Sequence, residues 1–158
     1  MDEDRTRLGE QDLRAWKALR LMSRQIDAQL ARRLAVTSEL SMQDYDVLSS
    51  VAPLPRRRAA LKDLMLHLQW SYSRLSHHLT RMEKRGLVRR ISDPSRAGVE
   101  VEVTDEGFAE IHGATGDHLR AVRELFADAL EPGEAEMLER LSGRILDRLP
   151  GPTPTRGW

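Results

Sequence analysis

The chain has 158 residues, and its 25 Lys and Arg balance 25 Asp and Glu, so the formal net charge is zero. This length favours one domain with an appendage, and a content of 40% hydrophobic and 32% charged residues excludes global disorder. The absence of cysteine excludes disulfides and thiol catalysis, and because no apolar run reaches the roughly 18 residues of a membrane helix and the acidic N-terminus is unlike a secretory signal, we expect a cytoplasmic protein without a membrane partner.

The first half of the chain is predicted to be helical, because its apolar residues recur at steps of three or four. This spacing predicts helices over about 12–36, 42–51, 59–69 and 72–85. Ser41 and Ser71 are placed to cap the second and fourth of these helices. Pro53 and Pro55 end the second helix, and Gly86 is suited to the left-handed position that ends the fourth.

The second half of the chain begins with a change of period. Residues 87–92 and 99–103 are predicted to be the strands of a hairpin. Within 99–103, valine and glutamate strictly alternate, which gives the strand one apolar face. Helical spacing returns from Asp105 to about Leu130, and Pro132 is expected in the first turn of a last helix that reaches 149. The expected fold class is mainly α with a small β hairpin.

Positive charge is concentrated in the middle of the chain. Residues 1–55 carry 8 basic and 9 acidic side chains, residues 56–96 carry 11 and 3, and residues 97–158 carry 6 and 13. The net charges of these segments are therefore −1, +8 and −7. A block of +8 inside a neutral chain is typical of a face that binds a polyanion, although a solvated basic surface gives the same count.

The third and fourth helices with the basic hairpin form the winged helix-turn-helix arrangement. A helix about 10–12 Å wide fits the major groove of DNA, where each base pair displays its own donor and acceptor pattern. Its N-terminal and outward residues should reach base edges, so we expect base readout by Tyr72, Ser73, Arg74 and His77. Arg74 is the strongest of these, because arginine contacts guanine with two hydrogen bonds; a phosphate contact or a solvated side chain is its alternative.

Other residues of the same region are expected to contact the DNA backbone, which positions a protein without specifying sequence. These are Ser71, Arg81, Arg89, Arg56, Arg57 and Arg58. For the three consecutive arginines, a solvated loop is the alternative. His77 and His78 are adjacent and face different directions, so one should abut the core while the other faces DNA.

Five segments, in this order and spacing, resemble the MarR family of bacterial transcription regulators: Asp44-Tyr45-Asp46-Val47-Leu48, Leu61-Lys62-Asp63-Leu64, Ser71-Tyr72-Ser73-Arg74-Leu75-Ser76, Arg81-Met82-Glu83-Lys84-Arg85-Gly86-Leu87-Val88-Arg89-Arg90, and Val103-Thr104-Asp105-Glu106-Gly107. The resemblance covers about residues 12–149. It implies a homodimer in which the first and last helices of each chain interlock. The expected domains are a helical dimerisation region over 10–36 and 105–149, a winged helix-turn-helix domain over 41–104, and a flexible tail over 150–158.

The amphipathic helices at both ends independently favour a second copy, which would cover their apolar faces; an intramolecular bundle is the alternative. The resemblance further implies a repressor that binds a double-stranded DNA palindrome and responds to a small aromatic effector. Trp16 and Tyr45 lie in helices that would line the effector pocket, and in one urate-responsive branch a tryptophan of the first helix contacts the ligand. Core or dimer packing is the alternative for both. At the wing tip the family usually carries Asp-x-Arg-Arg, whereas this chain has only Arg96 to reach the minor groove.

Little in the sequence supports an enzyme. It contains no phosphate-binding glycine loop and no His-Glu-x-x-His motif, and His112 and His118 stand six residues apart, on different faces of a helix. We therefore expect no catalytic activity, no cofactor and no metal. The alternative to a DNA-binding regulator is a winged-helix protein-interaction module that uses the same basic surface on an acidic partner, without sequence-specific DNA binding.

Overall fold

The computed structural model describes residues 8–92 and 98–150. Its helices and strands are α1 (Glu10–Thr37), α2 (Met42–Val51), β1 (Arg58–Ala60), α3 (Leu61–Leu68), α4 (Tyr72–Lys84), β2 (Val88–Ser92), β3 (Val99–Val103), α5 (Asp105–Leu125) and α6 (Glu134–Leu146). Two short 3-10 turns, Pro55–Arg57 and Ala127–Ala129, precede β1 and follow α5. The predicted class, mainly α with a small β element, is confirmed.

The core lies where α2, α3 and α4 meet the sheet. Its fully buried side chains are Val47, Leu48, Val51, Leu64, Leu75, Leu79, Met82 and Val101. The predicted inward positions of α4 are therefore the buried ones, and they leave the opposite side of the helix to solvent. Burial of each such side chain contributes about 1.5–3 kcal/mol, so this cluster fixes the position of α4.

Local sequence signals set both ends of the two predicted capped helices. Ser41 Oγ accepts a hydrogen bond from the Asp44 amide (3.1 Å), and the Asp44 carboxylate accepts one from the Ser41 amide (2.9 Å). This reciprocal pair forms a capping box at the start of α2. Ser71 Oγ accepts from the Arg74 amide (3.2 Å), and Gly86 follows α4 with a φ of 74°. The predicted caps are confirmed.

The sheet has three antiparallel strands in the order β1-β3-β2, one strand more than the predicted hairpin. Arg58–Ala60 pair with the second edge of β3, with Ala59 opposite Val101. The third helix accordingly begins at Leu61, and the predicted start at 59 is wrong. Three residues are too short to show a strand period, and alanine has no preference for strands. The strand forms because β3 offers it an unpaired edge.

Three predicted boundaries after the sheet are also wrong, and one of them is the end of the last helix, which lies at Leu146 and not at 149. The helix predicted to continue to Leu130 ends at Leu125, because Phe126 leaves helical geometry with a φ of −131°. Pro132 is not in the first turn of the last helix. Gly133 stands before that helix with a φ of 87°, a conformation that favours glycine, and α6 starts only at the next residue.

The helices at the two ends of the chain leave apolar surface uncovered. In α1 only Leu30 and Leu34 are buried, and α6 has no buried residue. The exposed apolar side chains of these helices include Leu13, Trp16, Leu19, Met22, Met137, Leu141 and Ile145. An intramolecular bundle would have buried these faces, so among the described residues that alternative is wrong.

At Gly107, α5 lies close against the backbone of Leu87, the residue before β2. A Cβ at this position would stand 2.0 Å from the carbonyl oxygen of Leu87, which is backbone and accepts the Thr104 amide at 3.1 Å. We therefore expect Gly107→Ala to push α5 outward and to lower the free energy of unfolding by about 2–4 kcal/mol, measured by urea denaturation.

Gly113→Ala is the matched control for this prediction. It lies in the same helix, and a Cβ there would have no atom within 4 Å. In a helix interior alanine is favoured over glycine, so this variant should gain about 0.5–1 kcal/mol. Equal stability of the Gly107→Ala variant and the wild-type chain would contradict the close approach.

Candidate nucleic-acid interface

The outward side of α4 carries the residues predicted to read bases. Tyr72 is 62% exposed, and Ser73, Arg74 and His77 are exposed as well. Ser73 and His77 are four residues apart and share the centre of the outward side. Arg74 lies on one flank of this pair, and Tyr72 lies on the other. The four side chains therefore occupy the first two turns of the helix, the part that enters a groove first.

The adjacent histidines divide as predicted. His77 is exposed, whereas His78 is 6% exposed and faces α2. Arg81 donates a hydrogen bond from Nη2 to Nδ1 of His78 (2.9 Å), so that nitrogen carries no proton. The other ring nitrogen, Nε2, lies 3.1 Å from Asp44 Oδ1.

Asp44 joins α2 to α4 through a buried carboxylate. It is 3% exposed, and it accepts hydrogen bonds from the Ser41 amide at 2.9 Å and from Arg85 Nη1 at 2.7 Å. Its Oδ1 also lies 3.1 Å from His78 Nε2. Burial by itself raises the pKa of Asp44, but the hydrogen bonds from His78, Arg85 and Ser41 outweigh it and hold the pKa well below its usual value. The carboxylate therefore stays ionised at neutral pH and fixes α4 against α2.

Arg74 is exposed, and its guanidinium lies over an aromatic ring. Its guanidinium carbon lies 4.2 Å from the centroid of the Trp70 ring, a cation–π distance. Trp70 stands in the turn between α3 and α4 and is 9% exposed. A role for Trp70 was not predicted from the sequence. The signal that could have indicated it is an aromatic residue directly before the cap of α4.

The wing is attached to α4 by Arg90. Its Nη1 donates to Glu83 Oε2 (2.5 Å), its amide donates to Glu83 Oε1 (2.8 Å), and its Nη2 donates to the carbonyl oxygen of Ser76 (2.6 Å). Arg90 and Glu83 were also missed by the sequence reasoning. Their contacts hold strand β2 beside the helix and so set the distance between the wing and α4.

Two arginines predicted to contact the DNA backbone meet one glutamate. Arg58 Nη2 lies 3.0 Å from Glu102 Oε1, and Arg89 donates to the other oxygen of Glu102. The pKa of Glu102 is lowered, mainly by the hydrogen bond from Arg89 and to a smaller extent by the one from Arg58. The Arg58 side chain is 30% exposed and that of Arg89 is 64% exposed, so Arg89 keeps a face free for a phosphate while Arg58 mainly joins strands.

The other two arginines of the basic turn point in different directions. Arg56 and Arg57 both have left-handed φ angles, 60° and 53°. Arg57 stacks on Phe108 at 3.8 Å and contacts Asp105 Oδ1 at 2.9 Å, so it ties the turn to α5. Arg56 is exposed and has no ion-pair partner within 8–92 and 98–150. Of the three arginines, Arg56 fits a phosphate contact best.

The fold and the sequence of this chain together match a protein of known structure. AbsC of Streptomyces coelicolor, a MarR family transcriptional regulator of known structure, is 30% identical to this chain. The match covers 89% of this chain and 95% of AbsC, with a TM-score of 0.84. The chain belongs to the MarR family of transcriptional regulators.

Two further relatives agree with this assignment to the MarR family. Sco3205 of Streptomyces coelicolor, a MarR family regulator whose structure was solved in complex with DNA, is 27% identical, covers 96% of each chain and has a TM-score of 0.86. The HTH-type transcriptional regulator PecS of Dickeya dadantii (strain 3937) is 30% identical over 113 residues. That segment spans 68% of this chain and 65% of PecS. No protein-family model matches the chain.

Trp16 and Tyr45 are not brought together within one copy of this MarR family chain. Tyr45 is 8% exposed and packs on His118, with ring centroids 4.1 Å apart. Trp16 is 54% exposed. A cavity lies between α1 and α5, and its first lining residue in α1 is Gln29. Trp16 stands 13 residues before Gln29, which is about 20 Å along the helix. That cavity, about 450 Å³, also contains Leu30, Leu34 and His118. Burial lowers the pKa of His118, so its ring is neutral.

Three further features predicted for this MarR family member are the wing-tip arginine, a metal site and a membrane helix, of which the last two were expected to be absent. Arg96, predicted to reach the minor groove, falls in the undescribed segment 93–97. Within the described ranges, no group of three or more His, Cys, Asp or Glu residues is arranged to hold a metal ion. No helix in the same part of the chain has the length and apolar character needed to span a membrane.

Proposed function

We propose that this MarR family protein binds double-stranded DNA in a sequence-specific way through α4. The observation that carries the proposal is the outward row of Tyr72, Ser73, Arg74 and His77 on a helix whose opposite side is fixed by the core and by Asp44. A rigid helix with a polar outward side is what the major groove admits. The DNA complex of the relative Sco3205 supports the same mode of action.

We propose further that the functional unit is a homodimer formed by α1, α5 and α6, and that its two α4 helices address a palindrome. The support is the exposed apolar row of α6, which includes Met137, Leu141 and Ile145 at intervals of four, together with Trp16 on α1. Isolated chains rarely leave such faces to water. A twofold axis would place two copies of α4 about one turn of DNA apart, on half-sites spaced by about 10–10.5 base pairs.

Salt dependence distinguishes DNA binding from the protein-interaction alternative. The affinity for a random-sequence duplex, followed by fluorescence anisotropy, should fall linearly on a plot of log affinity against log salt concentration, because phosphate contacts release counterions. An interaction module that recognises an acidic protein should bind duplex DNA weakly at low salt and show no preferred sequence. No measurable duplex binding at about 50 mM salt would contradict the proposal.

Arg74→Ala tests the role of one side chain in sequence readout. On the duplex that the wild-type protein prefers, we expect about 10- to 100-fold weaker binding, because a lost arginine–guanine pair is worth about 1–3 kcal/mol. Affinity for random duplex should change much less. Lys17→Ala is the control, since Lys17 is an exposed cation on α1, outside the winged domain that contains α4. Equal losses on preferred and random duplexes would show that Arg74 contacts phosphate only.

We also propose that the protein represses transcription by occupying promoter DNA, and that a small aromatic molecule regulates it from the cavity between α1 and α5. The support for the second point is the neutral His118 ring beside Leu30 and Leu34 in that cavity. An effector can weaken DNA binding only by its preference for the DNA-free conformation. Phenol and benzoate titrated into the protein–DNA complex test this; unchanged DNA affinity would contradict it for these probes.

A further inference from the structure

We infer that Trp70 is a specificity-determining positioning residue, which holds the guanidinium of Arg74 in place before DNA arrives. This inference rests on the proposed function and deepens it. Trp70 is not on the outward side of α4 and needs no contact with DNA. It would act through Arg74, whose guanidinium carbon lies 4.2 Å from the ring centroid.

Stacking on Trp70 leaves the hydrogen-bonding edge of Arg74 free. A cation–π contact uses the flat face of the guanidinium, whereas its five N–H donors lie in the plane and point outward from the edge. Two of these donors are what a guanine needs in the major groove. Arg74 can therefore keep its contact with Trp70 and still present a fork to a base edge.

The ring of Trp70 is itself held by a series of contacts that begins in α2. Its ring and that of His78 meet edge to face, with centroids 5.5 Å apart and planes at 87°. His78 in turn lies between Arg81, which donates to Nδ1 at 2.9 Å, and Asp44, whose Oδ1 is 3.1 Å from Nε2. The side chains of Trp70, His78 and Asp44 are all buried. The Trp70 ring that Arg74 contacts is thus held in place by buried residues.

Fixing Arg74 in advance should favour the correct DNA sequence in particular. A free arginine side chain loses much rotamer freedom when it binds, and a side chain already ordered loses less. An ordered fork also fits only one arrangement of acceptors, whereas a mobile one adapts to a phosphate or to another base. Loss of Trp70 should therefore lower discrimination between duplexes more than it lowers general affinity for DNA.

A double-mutant cycle between Trp70→Leu and Arg74→Ala tests this. The measured quantity is the ratio of affinities for the preferred and the random duplex. In the wild-type background we expect Trp70→Leu to lower this ratio about tenfold, and in the Arg74→Ala background to leave it unchanged. A purely structural role would lower both affinities together in both backgrounds. Trp70→Phe keeps an aromatic face and much of the packing, so it should lower the ratio only about threefold. This variant replaces Trp70→Leu in the cycle if the leucine variant does not fold.

Nuclear magnetic resonance of the DNA-free protein tests the stack separately. The Nε–H signal of Arg74, assigned by its loss in Arg74→Ala, should be displaced by the ring current of the indole and return toward its ordinary position in Trp70→Leu. An undisplaced signal overturns the inference. If the wild-type protein prefers no duplex, the proposed function fails and this inference with it. If it discriminates and Trp70→Leu discriminates equally well, only the inference fails.

Discussion

Replacing Leu141 and Ile145 of α6 by glutamate is expected to convert the dimer into monomers. The two side chains are 42% and 48% exposed within one chain, and they follow Met137 at intervals of four on the same side of the helix. If a second copy covers them, two buried charges without partners will oppose association by several kcal/mol. Analytical ultracentrifugation should then show a mass near 18 kDa instead of twice that value.

The same variant should lose most of its affinity for a palindromic duplex, because a monomer contacts only one half-site. Arg140→Glu is the control: it changes the net charge by the same −2 but lies toward the opposite side of α6. It should remain dimeric. A wild-type protein that sediments as a monomer at micromolar concentration, or a double variant that stays dimeric, would contradict the assignment of this face to the dimer interface.

Replacing Asp44 by asparagine is expected to cost about 2 kcal/mol of unfolding free energy at pH 7. The variant keeps the shape and an acceptor for the Ser41 amide but removes the charge that His78 and Arg85 contact. A fully buried pair would cost about 3–5 kcal/mol, but the Arg85 side chain is 41% exposed, so solvent screens its share. Urea denaturation measures the difference.

The pH dependence of this difference identifies the charge as its cause. Because the pKa of Asp44 is lower in the folded state than in the unfolded state, its contribution is complete above about pH 5 and is lost as pH falls below about 4. The gap between the wild-type and Asp44→Asn proteins should therefore narrow in acid. A gap that stays constant from pH 7 to pH 3 would show that the asparagine disturbs packing instead.

Asp46→Asn is the matched control on the same helix. Burial, and next the charge of Asp27, raise the pKa of Asp46, so its ionised form is unfavourable in the folded state. Removing that charge should leave the free energy of unfolding unchanged or slightly raised at pH 7. Of these two aspartates, only Asp44 is thus expected to lose stability on substitution by asparagine. Donors surround the Asp44 carboxylate, whereas burial and a nearby negative charge disfavour the ionised form of Asp46.

Features that depend on local sequence could be predicted here. The capping serines, Ser41 and Ser71, act within three residues, and Gly86 ends α4 through its own backbone conformation. The inward positions of α4 follow from helical spacing, which also placed Ser73, Arg74 and His77 on the exposed side. Local hydrogen bonds and periodicity are written in adjacent residues, so no knowledge of the tertiary structure is needed.

Features that depend on contacts between distant segments could not be predicted. Strand β1 forms only because an edge of β3 lies nearby, and the Trp70 ring meets His78, which in turn contacts Asp44 of the distant helix α2. The charge of the central block shows the same limit. Four carboxylates outside 56–96 pair with its arginines: Asp44, Glu100, Glu102 and Asp105. They reduce the effective surplus from +8 to +4. Counting charges along the chain overstated the basic face.

The pairing also changes the roles of the arginines predicted to contact the DNA backbone. Arg57 and Arg58 have internal partners that join the basic turn to α5 and the sheet, whereas Arg56 and much of Arg89 remain accessible. We therefore propose that phosphate contacts come mainly from Arg56, Arg81 and Arg89. The paired arginines instead hold the turn and the wing in fixed positions relative to α4.

Selection of bound sequences from a random duplex pool tests the central claim most directly. The wild-type protein at about 100 mM salt is mixed with duplexes that carry about 30 random base pairs, and the bound fraction is amplified and sequenced over several rounds. We expect enrichment of one motif with twofold symmetry and half-sites about 10–10.5 base pairs apart. A bound pool that stays as random as the starting pool would contradict it.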